Sequence, residues 1–181
     1  MSHYRRSRAP GATFFFTVVA FRRQPILCDA PLRVALRDAI RRVRSERPFT
    51  IDAWVLLPDH LHCIWTLPLN DADFGLRWNL IKRHTVRACG DLYHRPEWMN
   101  STRLQRREST LWQRRFWEHQ IRDDADYLRH MDYLHMNPVK HGHCARPNAW
   151  PYSSLHRLIG EGLYAAGWAT AIDDDPTIGE P

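Results

Sequence analysis

Two histidines separated by one residue form the clearest chemical pattern in the sequence. His60 and His62 follow a Pro-Asp pair and begin a strand-like run. Side chains alternate between the two faces of a strand, so both imidazoles point to one face and Cys63 to the other. Imidazoles one strand step apart can bind a single metal ion. A polar strand face that carries two histidines would give the same pattern, and the orientation of Cys63 excludes a zinc hydrolase site built from all three residues.

A tyrosine and an amide share one face of a predicted helix further along the chain. Tyr133 and Asn137 are four residues apart, which places them on the same side of an α-helix. A phenol can attack phosphorus and form a phosphotyrosine, so Tyr133 is a candidate nucleophile. The alternatives are a tyrosine at the edge of the core and an asparagine that ends the helix before Pro138. Tyr127 is a rival nucleophile, but it lies six residues earlier, roughly 240° around the helix from Tyr133.

The periodicity of the chain predicts the elements that position these residues. Strands are expected over residues 13–21, 51–57, 60–67 and about 116–121, and helices over residues 31–45 and 74–89. A polar loop over 90–110 separates the second helix from the fourth strand. The order is β-α-β-β-α-β-α, which predicts an α+β fold: a ferredoxin-like β-α-β-β-α-β sheet with an additional C-terminal helix that carries the candidate nucleophile.

That additional helix is expected to begin at Asp123 or Asp124 and to end at Asn137, because Pro138 follows. Asp126 and either Arg129 or His130 continue the face of Tyr133, whereas a more apolar side is predicted at Leu128, Met131 and Leu134. We expect one domain over residues 1–143 and a C-terminal extension over 144–181, whose acidic end from 173 onward is predicted to be disordered.

The charge of the chain favours nucleic acid as a partner. Its net charge is +6, and nearly all of its basic residues are arginines, since lysine stands only at positions 82 and 140. The planar guanidinium matches phosphate oxygens and stacks on bases, although an arginine-rich solvated surface would have the same composition. The candidate contacts to the DNA backbone are Arg5, Arg6, Arg8, Arg83, Arg87, Arg114 and Arg115.

The compartment follows from three further features. No apolar run approaches the roughly 20 residues of a membrane helix, and the basic N-terminus leads into a strand without a cleavage site for a signal peptidase. The four cysteines are dispersed singly, so we expect reduced, mostly buried thiols. These features predict a cytoplasmic, nucleoid-associated protein without membrane partners, and the sequence identifies no protein partner.

Three segments carry a resemblance to a known family. Residues 56–65, 115–119 and 132–142 closely resemble the REP-associated tyrosine transposases, which belong to the single-tyrosine HUH superfamily, and the likeness extends from Tyr4 to Ser154. The resemblance implies a ferredoxin-like fold, His60 and His62 as metal-binding histidines, and Tyr133 as the nucleophile. Relatives in the wider superfamily carry a glutamine as a further metal ligand four residues after the tyrosine. Here that position is Asn137, whose shorter amide also offers an oxygen.

The resemblance also implies a reaction and a substrate. The expected enzyme is a metal-dependent endonuclease and strand transferase that acts on hairpins of repetitive extragenic palindromes with single-stranded flanks. It would leave a 3′-hydroxyl and a 5′-phosphotyrosine. Three neutral ligands suit Mg²⁺ or Mn²⁺, and the base that deprotonates the phenol is left open between His130 and metal-bound water. The main alternative is a catalytically silent hairpin-binding protein of the same fold. A two-histidine phosphoesterase would need a second H-x-[ST] motif, which the sequence lacks.

Overall fold

The computed structural model describes residues 9–170 of the chain. Its strands are β1 (Thr13–Val19), β2 (Thr50–Leu56), β3 (His60–Thr66) and β4 (Trp117–Gln120). Its helices are α1 (Ala30–Glu46), α2 (Phe74–Tyr93), α3 (Ser101–Gln105), α4 (Asp124–Lys140) and α5 (Leu155–Gly160). Short 3-10 turns follow β1, α2 and α4. Within residues 9–170, no helix is long and apolar enough to span a membrane.

The four strands form one antiparallel sheet in the order β2-β3-β1-β4. Strands β2 and β3 are joined by the tight turn at Pro58 and Asp59, and β1 lies between β3 and β4. This is the split β-α-β arrangement of a ferredoxin-like sheet, so the predicted fold class is confirmed. The register pairs Thr17 of β1 with His62 of β3, which brings both side chains to the same face.

Both faces of the sheet are covered. Helices α1 and α2 pack on one face, where the largest rings include the stacked Trp65 and Trp78, whose centroids are 4.2 Å apart. Helix α4 packs on the other face against Phe15, Ile64 and neighbouring apolar residues. Alternate side chains of β3 therefore enter two different packed layers. The histidines lie in the layer between the sheet and α4 and not on an open face.

Helix α4 continues past Pro138, so the prediction that it ends at Asn137 is wrong. Proline removes only its own N–H bond, and the His141 N–H still donates to the Asn137 carbonyl at 3.0 Å. The helix ends at Lys140, and Gly142, two residues later, has a φ of 71°. There the Gly142 N–H donates to the Val139 carbonyl and the His143 N–H donates to the Pro138 carbonyl, a Schellman motif that fixes the direction of the following chain.

The segments around this framework are more ordered than their polar composition indicates. Helix α2 extends to the buried Tyr93, and the predicted loop over 90–110 contains α3, whose first turn is capped by the Asn100 side chain at the Arg103 N–H. The extension after residue 143 returns to the sheet, where Ser153 bridges Val55 and Leu158 is buried. The boundary at 143 stays a prediction, and residues 173–181 lie outside the described part. The four cysteines are free thiols, of which Cys63 and Cys89 are buried.

Candidate active site

The turn before β3 orients the first histidine. The Nδ1 atom of His60 lies 2.7 Å from the Asp59 carboxylate, which also accepts a bond from Arg23 at 3.1 Å. Burial raises the pKa of Asp59, but these two partners more than offset it and leave the pKa at about 2. An ionised carboxylate only accepts hydrogen bonds, so Nδ1 of His60 carries a proton and Nε2 points toward Asn137.

The second histidine is fixed by its neighbours on the sheet. His62 is fully buried, with its Nδ1 atom 2.9 Å from the Thr17 hydroxyl oxygen. Its ring lies 4.8 Å from the ring of His60 and 5.3 Å from the ring of Phe15. When Nδ1–H donates to Thr17, the Nε2 atom of His62 also presents a lone pair. Hydroxyl and carboxylate partners that set the tautomer in this way are typical of metal-binding histidines.

The amide of Asn137 completes a set of converging ligand atoms. Its Oδ1 atom lies 3.3 Å from His60 Nε2, so when His60 is neutral with its proton on Nδ1 the two atoms present opposed acceptor lone pairs. Among residues 9–170 the Nδ2 atom of this amide has no hydrogen-bond partner. A cation between the imidazoles and the amide oxygen would satisfy the opposed acceptors. Two neutral imidazoles and one amide oxygen suit Mg²⁺ or Mn²⁺ with further oxygen ligands, so the residues fit a metal ion.

The candidate nucleophile lies beside this set. Tyr133 is only 4% exposed, and its ring is 5.5 Å from the ring of His62 and 6.1 Å from that of Phe15. The Lys140 ammonium lies 5.2 Å from the tyrosine ring centroid, where a cation is attracted to the π face. The structure thus brings together the phenol and the three candidate metal ligands. All four lie between β3 and α4.

Tyr127 occupies a different environment on the same helix. It is half buried among the apolar residues of the α4 layer, and its pKa is raised by burial and by the nearby carboxylate of Asp52. Arg157 is its other charged neighbour. Asp52 accepts a bond from Thr66, which ends β3, whereas the histidines begin that strand, so the rival tyrosine lies near the opposite end of β3.

A buried ion-pair network supports the start of α4, and sequence reasoning missed its extent. Asp126 is 1% exposed and accepts bonds from His119 at 2.8 Å and from the Arg122 backbone and guanidinium. Arg129 lies 3.5 Å from the same carboxylate. Burial raises the pKa of Asp126, but these donors together hold it well below its usual range. His119, Asp126 and His130 could hold a cation by spacing alone, yet two guanidiniums already neutralise the carboxylate.

His130 connects this network to the nucleophile. Its Nδ1 atom is 2.8 Å from the Asp126 backbone carbonyl, which requires the proton on Nδ1. Burial lowers the pKa of His130, which keeps the ring neutral, and its Nε2 atom has no hydrogen-bond partner among residues 9–170. Its ring and that of Tyr133 both contact Phe15. A neutral imidazole and the candidate nucleophile therefore share Phe15 as a neighbour on the same side of the sheet.

The predicted DNA-binding arginines are not gathered at this site. Arg83 and Arg87 are exposed on α2, which covers the sheet face opposite α4. Arg83 and Arg114 line a groove of about 270 Å³ between α2 and the segment before β4, where Arg114 lies 3.5 Å from Glu108. Arg115 is exposed next to Arg114. Arg5, Arg6 and Arg8 lie outside the described residues.

No family model matches the chain. Two curated relatives and one solved structure nevertheless indicate the same class of protein. A REP-associated tyrosine transposase of Escherichia coli K12 is 44% identical over 174 residues, which cover 96% of this chain and 94% of the relative. A relative from Haemophilus influenzae named for the same class is 39% identical over 168 residues, 93% of each chain. A solved structure of a REP-associated tyrosine transposase bound to a REP hairpin matches with a TM-score of 0.83 and 43% identity, covering 100% of this chain and 98% of its own.

Proposed function

Because the chain belongs to the REP-associated tyrosine transposase family, we propose that it is a metal-dependent endonuclease and strand transferase that acts on REP hairpins. Its substrate would be the single-stranded DNA that flanks such a hairpin. The solved relative is bound to a REP hairpin, and the net charge of +6 complements a DNA backbone. Family membership supports assignment of the chain as a DNA transposase. Its metal dependence and its phosphotyrosine intermediate are what we propose.

One observation carries the proposal: the Nε2 atom of His60, the ring of His62, the amide oxygen of Asn137 and the ring of Tyr133 converge in one buried layer. The three ligand residues would hold Mg²⁺ or Mn²⁺, which supplies Lewis-acid polarisation of a phosphate oxygen when bound. Asp59 and Thr17 orient the imidazoles, and Phe15 excludes water from one side of them. The same layer positions the phenol on the helix that carries the amide.

Tyr133 performs the covalent step in this proposal. Its phenol oxygen attacks phosphorus, the new P–O(Tyr) bond forms, and the P–O3′ bond breaks. The products are a 5′-phosphotyrosine and a free 3′-hydroxyl, and the phenol proton is lost to a base while the departing oxygen gains one. A neutral His130, whose ring shares the neighbour Phe15 with Tyr133, is one candidate for that base, and water on the metal is the other. No energy-rich cofactor is needed, because the phosphotyrosine stores the bond for rejoining.

The alternative within the same fold is a protein that binds the hairpin without cleaving it. One experiment separates the two: labelled hairpin DNA with single-stranded flanks is incubated with Mn²⁺ and with wild type, His62→Ala or Asn137→Ala. We expect wild type to cleave, His62→Ala to bind without cleaving, and Asn137→Ala to cleave more slowly, since one neutral oxygen ligand of several is lost. Full cleavage by EDTA-treated His62→Ala after Mn²⁺ is restored would exclude the metal site. Binding without cleavage by wild type would support the silent alternative.

A further inference from the structure

A continuous series of ring contacts leads away from the candidate active site. The ring of His141 lies 5.0 Å from that of His60, and His143 follows at 6.1 Å with nearly parallel planes. Trp150 stacks on His143 at 5.3 Å and meets Tyr152 edge-on at 5.6 Å. The glycine turn after α4 and the 3-10 turn Pro147–Ala149 give the chain this course. We call His141, His143, Trp150 and Tyr152 the aromatic track.

The track is anchored to the edge of the sheet. The Trp150 indole donates to the Leu56 carbonyl at 2.9 Å, and the Leu56 N–H donates to the Tyr152 carbonyl at 2.9 Å. Ser153 then bridges Val55, so this segment extends the sheet beyond β2. The two histidines are exposed and the two larger rings are half buried. The track is therefore a fixed aromatic surface whose exposed rings are those of the two histidines, since His143 stacks on Trp150 and the Arg33 guanidinium covers Tyr152.

The track ends in a groove lined by arginines. The Arg33 guanidinium lies 4.6 Å from the Tyr152 ring centroid, and the groove beyond it has a volume of about 470 Å³. Its floor includes Trp54 of β2. Four arginines of α1, at positions 33, 37, 41 and 44, line one wall, and Arg157 lines the opposite side. We call this cavity the α1 groove.

The charge of the α1 groove is largely uncompensated. Among residues 9–170, Arg33, Arg37 and Arg44 form no ion pair, and Arg41 has only the exposed Asp38 at 3.7 Å. An exposed pair of this kind contributes little and is readily exchanged. Glu161 pairs with Arg157, whose guanidinium also donates to the Asp52 carbonyl. The groove therefore has at least three positive charges without a local counter-charge.

We propose, on the basis of the proposed function, that single-stranded DNA leaving the active site runs along the aromatic track into the α1 groove. Bases stack on the exposed histidine rings and pack against the outer edges of the tryptophan and tyrosine, and guanidiniums bind phosphates. Arginines four residues apart on a helix repeat about every 6 Å along its axis, which suits successive phosphates of an extended strand. The aromatic floor at Trp54 suits unpaired bases, because the faces of paired bases are already stacked on their neighbours within a duplex.

The test compares two double variants, one within α1 and one at the C-terminal end of that helix. Arg37→Ala/Arg41→Ala removes two exposed charges from the groove wall. Arg42→Ala/Arg47→Ala removes two exposed charges that do not line the groove, since Arg42 faces α2, where its charge lowers the pKa of His84. Both variants change the net charge equally, and none of the four side chains is buried.

Binding is measured by fluorescence anisotropy without metal, so that cleavage does not contribute, at several salt concentrations and with two DNAs. One is a hairpin with single-stranded flanks and the other is the same hairpin without them. For the flanked hairpin, we expect Arg37→Ala/Arg41→Ala to weaken binding and to reduce the slope of log K against log salt by about 1.4, for two lost phosphate contacts. Binding of the flankless hairpin should be unchanged, and the control variant should match wild type on both DNAs.

Equal losses on the two DNAs, or equal losses by the two variants, would overturn the groove assignment. Photo-cross-linking supplies an independent readout: a halogenated pyrimidine in the flank should cross-link to the peptide that contains Trp150 and Tyr152. Cross-links confined to α2 would also overturn it. Because these measurements detect binding, they can fail while the phosphotyrosine chemistry stands, and they can succeed in a protein that never cleaves DNA.

Discussion

Removing the carboxylate behind His60 should weaken metal binding without touching a metal ligand. Asp59 holds the proton on His60 Nδ1 across 2.7 Å, which leaves Nε2 available to a cation. In Asp59→Ala this constraint is lost, and the ring can rotate or place its proton on Nε2. We therefore expect the affinity for Mn²⁺ to fall while the overall fold is retained.

The size of the effect follows from the surroundings of the carboxylate. Outer partners of metal-binding histidines typically contribute 10- to 100-fold in affinity, or about 1.4–2.7 kcal/mol. Asp59 is partly buried and makes a short, charge-assisted bond, so Asp59→Ala should lie near the upper end of that range. Asp59→Asn keeps a neutral acceptor at the same place, and its loss should be closer to tenfold. Arg23 is 41% exposed and can be solvated when its partner is removed.

Isothermal titration of the metal-free protein with Mn²⁺ measures this directly. Asp91→Asn is the matched control, because Asp91 is an exposed carboxylate on α2, the helix on the opposite face of the sheet. We expect the control to bind Mn²⁺ as wild type does and the loss to increase from Asp59→Asn to Asp59→Ala. Wild-type affinity in Asp59→Ala, or an equal loss in Asp91→Asn, would refute the assignment of Asp59 as the residue that orients His60.

Three further predictions concern the support of the site. Thr17→Val removes the hydroxyl 2.9 Å from His62 Nδ1 and should weaken Mn²⁺ binding about tenfold in the same titration; an unchanged affinity would remove Thr17 from the account. Burial lowers the pKa of His135 from 6.5 to about 4, so the unfolded chain takes up a proton below pH 6.5 that the folded protein does not. The titration of His135 alone should therefore lower the free energy of unfolding by about 2 kcal/mol between pH 6.5 and 5. In urea denaturation, the stability of His135→Gln should depend less on pH than that of wild type. Asp126→Ala leaves His119 and Arg122 without their carboxylate and should lower the free energy of unfolding by about 2–4 kcal/mol, whereas the exposed Asp124→Ala should change it by less than about 0.5 kcal/mol.

The sequence predicts the framework of the site because the relevant patterns are local. The alternation of side chains in β3 places His60 and His62 on one face of the sheet, and helical spacing places Tyr133 and Asn137 on one face of α4. The predicted β-α-β-β-α-β order then requires that the additional helix covers one face of the sheet. The structure has this order, and α4 lies on the face that carries the histidines.

Other features depend on packing that no local pattern contains. Leu128 is 60% exposed, while the polar Asp126 and His130 are buried, so the apolar side of α4 was predicted only in part. Asp126 is buried there because His119 of β4 and Arg122 donate to its carboxylate, and the Nδ1 atom of His130 bonds the Asp126 carbonyl one turn earlier on α4. The bond from Thr17 to His62 likewise depends on the pairing of β1 with β3, 45 residues apart in the chain. In the sequence, the α1 arginines have the pattern of a solvated helix face. The groove exists only because residues 150–157 pack beside that face in the folded chain.

Tyr133 is expected to become covalently joined to DNA, and mass spectrometry of the adduct tests this most directly. Wild type, Tyr133→Phe and Tyr127→Phe are incubated with flanked hairpin DNA and Mn²⁺, denatured and digested. Phenylalanine deletes one oxygen and keeps the ring that packs on His62 and Phe15, so binding should stay within about 1 kcal/mol of wild type. We expect a phosphotyrosine peptide at residue 133 in wild type and in Tyr127→Phe, and no adduct in Tyr133→Phe. An adduct in Tyr133→Phe, or a phosphopeptide at Tyr127, would contradict the account.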